Sequence, residues 1–305
     1  MAKGRPPVYL FDKALGVYGA LMVALLVAFG RPYSMYVDET IFYAGVAVLA
    51  FIVARNVDEN RSGWHRFLRI LYPVMLYPLL YRETGGTMFL FFDQFLDNHL
   101  TAFELQVLGV NPTIYIDRHL LNVWTTEILS LCYWLYYPLV PGYLLLVYVR
   151  RDYDIVKSSM AAMTITFIFG YLLFFSYPIE GPRWFFAEHY VNPVEGPIFR
   201  QMVEFMIQSG AVRGGCMPST HYAIALVITL FVGKYYRRWL WLMIPLSTGL
   251  ALGTVWGRFH YVSDFVVGGR IALAVTVVVW RGFPADRAKK QTTVRHKEAY
   301  PYHAS

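Results

Sequence analysis

Two short segments carry residues whose types and spacing suit chemistry: Cys216-Met217-Pro218-Ser219-Thr220-His221 and, about forty residues later, His260-Tyr261-Val262-Ser263-Asp264. Each stands at the mouth of a long apolar run, where a histidine or carboxylate is costly to place and is usually kept for function. The spacing His-x-x-x-Asp sets Asp264 one helical turn beyond His260 on the same face. A carboxylate that takes the proton of one imidazole nitrogen fixes the tautomer and leaves the other nitrogen free to attack. With His221 facing it across a helix bundle, such a pair can move a phosphoryl group. The competing reading of the second segment is a helix start capped by Ser263 or Asp264, with His260 reaching toward the headgroups.

Pro218-Ser219-Thr220-His221 follows Gly214-Gly215. Glycines permit close backbone approach, and Pro, Ser or Thr can open a helix whose N-terminal amides face an anion. His221 then falls in the first turn of that helix. Arg183, after Gly181-Pro182, offers a planar guanidinium suited to phosphate oxygens. The other histidines have plainer surroundings. His65, His296 and His303 lie in basic segments, and His99, His119 and His189 have no motif around them.

The elements that must position these groups are apolar. The 305-residue chain is 57% hydrophobic and 15% charged, with a mean hydropathy of +0.41. A soluble domain carries about 25% charged residues, so the deficit points to a polytopic membrane protein. The net charge of +7 does not mark a nucleic-acid binder, because the basic residues cluster in short segments between apolar runs. The two cysteines, Cys132 and Cys216, suggest neither a disulfide framework nor a zinc knuckle. The first run reads as a retained anchor rather than a cleaved signal.

Eight runs read as spanning helices, near 14–30, 40–55, 66–82, 124–149, 158–177, 218–233, 239–256 and 262–280. The third is interrupted by Pro73 and Pro78, and crossing is favoured there over re-entry. With eight crossings, most of the 27 Lys and Arg residues fall on one face, including Arg55, Arg61, Arg66, Arg69, Arg150, Arg151, Lys157, Lys234, Arg237 and Arg238. Lys3 and Arg5 and the basic tail join them. Positive charge marks the cytoplasmic side. Both termini are therefore expected in the cytoplasm of a plasma membrane or its equivalent, with both histidine segments on the extracytoplasmic face. On that face a connection over 83–120 suits an interfacial amphipathic helix, and a second, from Tyr177 to Met217, holds a helix from Pro197 to Ser209. The predicted organisation is N-terminal spans over 1–85, a catalytic membrane domain over 86–282 and a polar tail over 283–305. Glu127 and Arg270, each near the outer end of an apolar span, are expected to pair with one another.

Arg183, Pro218-Ser219-Thr220-His221 and His260-Tyr261-Val262-Ser263-Asp264 fall on one face in the order Arg, Ser/His, His/Asp. Over roughly residues 90–280 they resemble the type 2 phosphatidic acid phosphatase superfamily, whose motifs are KxxxxxxRP, PSGH and SRxxxxxHxxxD. The resemblance implies an all-α transmembrane bundle of about eight spans, with a six-helix catalytic core and interfacial helices on the outer face. It implies His260 as a nucleophile forming a phosphohistidine, Asp264 as its orienting carboxylate and His221 as general acid. Arg183, Ser219 and backbone amides near Gly215 would hold the phosphate. Ser176 stands where the motif has lysine, Trp184 follows Arg183 in place of proline, and Gly253-Thr254 replaces Ser-Arg. Arg258 and Arg213 are the candidates to replace the missing arginine. These departures, with Pro-Ser-Thr-His and the Asp93…Glu104…Gly109…Pro112 stretch, are similar to the branch of inositol phosphorylceramide synthases, which transfer a phospho-headgroup to a lipid alcohol. The implied partners are a membrane lipid substrate and the bilayer, without nucleic acid, cofactor or metal. The sequence leaves the oligomeric state open. Two other readings compete: a lipid or solute transporter with a His/Asp proton relay, and a metal or haem protein using His221, His260 and Asp264 as ligands.

Overall fold

The structure, a computed structural model, describes residues 6–282. Lys3, Arg5 and the polar tail over 283–305, with His296 and His303, lie outside the described residues. The described chain forms twelve α-helices and no strand: α1 (Leu10–Phe29), α2 (Val37–Asn56), α3 (Gly63–Thr87), α4 (Asp97–Leu108), α5 (Pro112–His119), α6 (Val123–Val149), α7 (Tyr153–Ser176), α8 (Pro182–Phe185), α9 (Phe199–Gly210), α10 (Thr220–Tyr235), α11 (Leu240–Trp256) and α12 (Val262–Gly282). Each of the eight apolar runs has become a helix.

Six of these helical stretches are long and apolar enough to cross a membrane: α1, α2 with the turn from Tyr33 before it, α6, α7, α11 with the turn from Arg237 before it, and α12. The other two differ for separate reasons. α3 is less apolar but runs unbroken for 25 residues through Pro73 and Pro78, about 37 Å at 1.5 Å per residue. It is one continuous helix rather than a re-entrant loop. α10 is apolar but has only 16 residues. Being shorter than α6, α7 and α12, it starts recessed within the bundle, and Ser219 and Thr220 at its head are buried.

Two ends of the bundle are defined by polar contacts. At one, the Tyr148 hydroxyl donates to the Gly63 carbonyl, Lys157 pairs with Glu59, and the Tyr236 hydroxyl donates to Asp152. These join the starts of α3 and α7 to the ends of α6 and α10, where most of the described basic residues collect. Arg69, read from sequence only as one of those charges, is buried and binds Asp12 of α1 through both oxygens, at 2.8 and 2.5 Å. At the opposite end, Val212 donates its amide to the Tyr81 hydroxyl near the close of α3. There α4, α5, α8 and α9 lie over the bundle.

α7 sits in the middle, packed on α1, α3, α6, α10 and α12. Its small residues, Ser158, Ser159, Ala161, Ala162 and Gly170, let five neighbours approach one helix. α10 is enclosed by α6, α7, α11 and α12. One of these contacts requires a glycine: a Cβ on Gly268 of α12 would stand 2.6 Å from the Ser219 carbonyl oxygen. That approach brings the start of α12 against the start of α10, and so brings the two histidine segments together.

Candidate active site

His260 lies in the turn between α11 and α12. The amides of Phe259 and His260 both donate to the Thr254 carbonyl, at 2.8 and 3.0 Å, which fixes the backbone entering α12. One turn on, Asp264 is fully buried, and its Oδ2 accepts from His260 Nδ1 at 3.2 Å and from the Tyr261 amide at 2.8 Å. The side chains of His260 and Asp264, one helical turn apart, are therefore in contact. The Asp264 carbonyl accepts from the Ser219 amide at 3.0 Å, linking α12 to the head of α10.

His221 is the second residue of α10. Its ring lies against Tyr133 and Tyr136 of α6, with centroids 5.2 and 4.6 Å away, and its centroid is 6.3 Å from that of His260. The two histidines line one cavity of about 70 Å³, together with Arg183, Glu180, Gly215 and Cys216. A phosphorus atom with its oxygens can bridge that separation.

The cavity wall is built from two distant loops. Ile179 and Gly215 form an isolated parallel bridge, which sets the Arg183 turn beside the Gly214-Gly215 segment. Gly214 needs its freedom, because its φ is +101° and side chains with a Cβ rarely tolerate that region. Asp97 of α4 secures the arrangement: its Oδ2 accepts from the Glu180 amide at 2.8 Å and its Oδ1 from the Gly181 amide at 3.0 Å. Burial raises the Asp97 carboxyl above its usual pKa, while these donors oppose the shift. Seven residues on, Glu104 accepts from the Ser263 amide at 2.5 Å and caps α12. Both acids fall on one face of the amphipathic helix, a placement the sequence pattern predicts without revealing what they bind.

Arg183 lines the cavity but is already bound. Its Nη1 donates to Glu204 Oε2 at 3.0 Å and its Nη2 to Oε1, a two-point pairing. The hydrogen bond from Arg183 is the main cause that holds the Glu204 carboxyl below its usual pKa. Glu204 also accepts from Arg200 Nη2 at 3.1 Å. Arg200 is buried, stands with Cζ 5.1 Å from the centre of the Phe259 ring, and keeps Nη1 buried without a hydrogen-bond partner among the described residues. Beyond the pair lies a hollow of about 540 Å³ whose wall includes Glu195, Arg200, Gln201 and Glu204. It is larger than the histidine cavity, yet neither histidine reaches it.

The remaining sequence candidates are placed as follows. Ser219 is the N-cap residue of α10, fully buried, and its Oγ has no partner among the described residues. Arg258 does not line the histidine cavity. Its Nη2 donates to Asp117 Oδ1 at 2.5 Å and to the Asn192 carbonyl at 2.6 Å, over the Tyr190 ring, so it fastens α5 to the long loop. Arg213 is exposed and pairs with Glu180 at the cavity rim, over Trp184. The expected pairing of Glu127 with Arg270 does not occur. Glu127 instead accepts the amides of Ile198, Phe199 and Arg200 and caps α9, whereas Arg270 is exposed and pairs with none of the described residues. The metal-ligating groups brought together are Cys216, His260 and Asp264, without His221.

Arg200, Glu204, Asp97 and Cys216 were not singled out as site residues from sequence. Only Arg200-x-x-x-Glu204 carries a local signal, an ion pair one helical turn apart. Compared with known families, residues 100–278 match the model of the PAP2 superfamily, more than half of the chain. No curated protein and no solved structure matches.

Proposed function

The chain belongs to the PAP2 superfamily, and from that membership we propose that it is an integral-membrane phosphotransferase or phosphatase acting on a lipid phosphoester through a phosphohistidine. The observation that carries the reading is the shared cavity: His221 and His260 with ring centroids 6.3 Å apart, Asp264 on the Nδ1 of His260, and Arg183 on the wall.

In the proposed reaction His260 Nε2 attacks phosphorus while Nδ1 keeps its proton, hydrogen-bonded to Asp264. The P–O bond to the leaving alcohol breaks, and His221 delivers a proton to that oxygen. Water or a second alcohol then gives its proton to His221 and attacks the phosphohistidine, which returns His260. Arg183 supplies two parallel donors to the equatorial oxygens once it exchanges Glu204 for phosphate. Arg200, with a buried Nη donor free beside the same carboxylate, is suited to take the place of the arginine that the third motif lacks.

The polar wall of the larger hollow supports transfer of a phospho-headgroup, as in the inositol phosphorylceramide synthase branch, because a hydroxyl-rich headgroup needs donors and acceptors there. The charge distribution along the sequence supports an extracytoplasmic site. A panel of headgroup-labelled lipids, offered with and without lipid alcohols and read by mass spectrometry, tests the assignment. Phosphate or headgroup release that requires both histidines is the expected result. No turnover of any phosphoester in the panel, by protein shown to be folded, would overturn it.

A further inference from the structure

We propose that Cys216, His260 and Asp264 form a binding site for a soft divalent cation of the zinc class, and that filling it switches the phosphoryl-transfer site off. The switching half rests on the function proposed above; the binding half does not.

The three ligand atoms already stand close to where such an ion would hold them. Cys216 Sγ is 2.9 Å from Asp264 Oδ2 and 3.6 Å from His260 Nδ1, and Nδ1 is 3.2 Å from Oδ2. Around a tetrahedral zinc with usual bond lengths, sulfur, nitrogen and oxygen ligands are separated by about 3.3–3.6 Å. Two of the three edges match, and the third needs Sγ and the carboxylate to part by roughly half an ångström. All three side chains are buried, and the second oxygen of Asp264 is buried with no hydrogen-bond partner among the described residues. A carboxylate enclosed with one oxygen unused is a poor arrangement for hydrogen bonding alone, and a cation would engage it. Access exists, because Cys216 and His260 both line the histidine cavity, which also leaves room for a fourth, oxygen ligand.

Charge and softness select the ion. A thiolate and a carboxylate together neutralise a divalent cation in a buried place. Sulfur and imidazole favour zinc over magnesium or calcium, which prefer oxygen ligands. Binding releases the thiol proton of Cys216 to solvent. The Nδ1 proton of His260, otherwise held toward Asp264, moves to Nε2 as the metal takes Nδ1. An imidazole that carries its proton on Nε2 has no lone pair there for phosphorus, so the nucleophile is lost without any change of fold.

The test uses the full chain in detergent with cobalt(II) as the spectroscopic probe, in Cys132→Ser, which leaves Cys216 as the only thiol. A thiolate-to-cobalt charge-transfer band that zinc bleaches and magnesium does not is the expected result. Absence of the band in this folded variant overturns the site. A band that persists in Cys132→Ser/Cys216→Ser overturns the assignment to Cys216; should that double variant fail to fold, blocking Cys216 with a small alkylating reagent before cobalt addition makes the same comparison. Zinc is then added to active wild-type protein. A loss of turnover of at least tenfold, reversed by EDTA, is expected, and unchanged turnover with the site filled overturns the switch. A cobalt band in a protein that turns over no phosphoester leaves the metal site standing and defeats only the function on which the switch rests.

Discussion

The Tyr261 hydroxyl donates to Asp97 Oδ1 at 2.8 Å, across 164 residues of chain. The same carboxylate accepts the amides of Glu180 and Gly181. One acid on α4 therefore holds both the turn that carries Arg183 and the turn that carries His260. Replacing Asp97 with alanine strands three buried donors, each at about 1–3 kcal/mol. Asp97→Ala is expected to lower the thermal unfolding temperature and to depress turnover further than the stability loss alone explains. Melting and activity unchanged from wild type would show that the two turns are set independently.

His260→Ala is expected to abolish turnover in a protein that still elutes and melts as the wild type does. His221→Asn, which keeps shape but cannot carry the proton, should cost about a hundred- to ten-thousandfold in kcat. The two variants differ in what they trap. Acid-labile, base-stable phosphate on the protein, derived from labelled substrate, should build up in wild type under rapid quench and be missing from His260→Ala. Phosphate retained by His260→Ala would move the nucleophile elsewhere.

Arg183 and Arg200 share Glu204, and their replacements should act on different parameters. Arg183→Ala should raise KM and lower kcat, since the guanidinium borders the reacting atoms. Arg200→Lys should rescue little of the loss in Arg200→Ala, because an ammonium cannot reproduce two fixed donors. Full activity in Arg200→Ala would leave Arg200 with a packing role only.

The Glu204 carboxyl, held low chiefly by Arg183, makes a stability contribution with a definite pH sign. Its folded pKa lies below the ordinary value of about 4.3. The pairing therefore stabilises above that pH and is lost as pH falls through the lowered folded value. Both partners are about a quarter exposed, so the contribution is on the order of 1 kcal/mol or less. Melting curves of wild type and Glu204→Gln should differ at neutral pH and converge in acid. A gap that widens in acid would reverse the assignment.

Glu127 is an N-terminal acceptor for α9, with three amides converging on it. Glu127→Ala should cost about 0.5–2 kcal/mol, the usual range for a lost cap. A charge swap, Glu127→Arg with Arg270→Glu, should not restore stability, because the two side chains do not meet. Restoration by the double variant would contradict the capping role.

The eight apolar helices, six of them long and apolar enough to cross a membrane, were legible because apolar length is a local property, and α4 and α9 because amphipathic spacing is local too. His221, His260 and Asp264 were legible as candidates because their types and spacing are local and stand at the mouths of apolar runs. What escaped were contacts between segments far apart in the chain. Burial of Glu127 demands a partner, but nothing in the sequence says that backbone amides 71 to 73 residues away will serve instead of an arginine. The same holds for Arg258: a cation near the motif looks free until Asp117 is seen to occupy it. Nothing local to Cys216 names its partner; its thiol meets Asp264 where the heads of α10 and α12 come together.

The buried pair of Asp12 and Arg69 lies wholly outside residues 100–278, the stretch that carries the family's likeness. A buried charge is costly without its partner, so α1 and α3 depend on one another through this contact. Trimming the chain to the matched stretch would remove both charges together, and with them α1 and α3, which pack on α7. The packing unit built around α7 therefore extends beyond the boundaries that kinship alone would pick out.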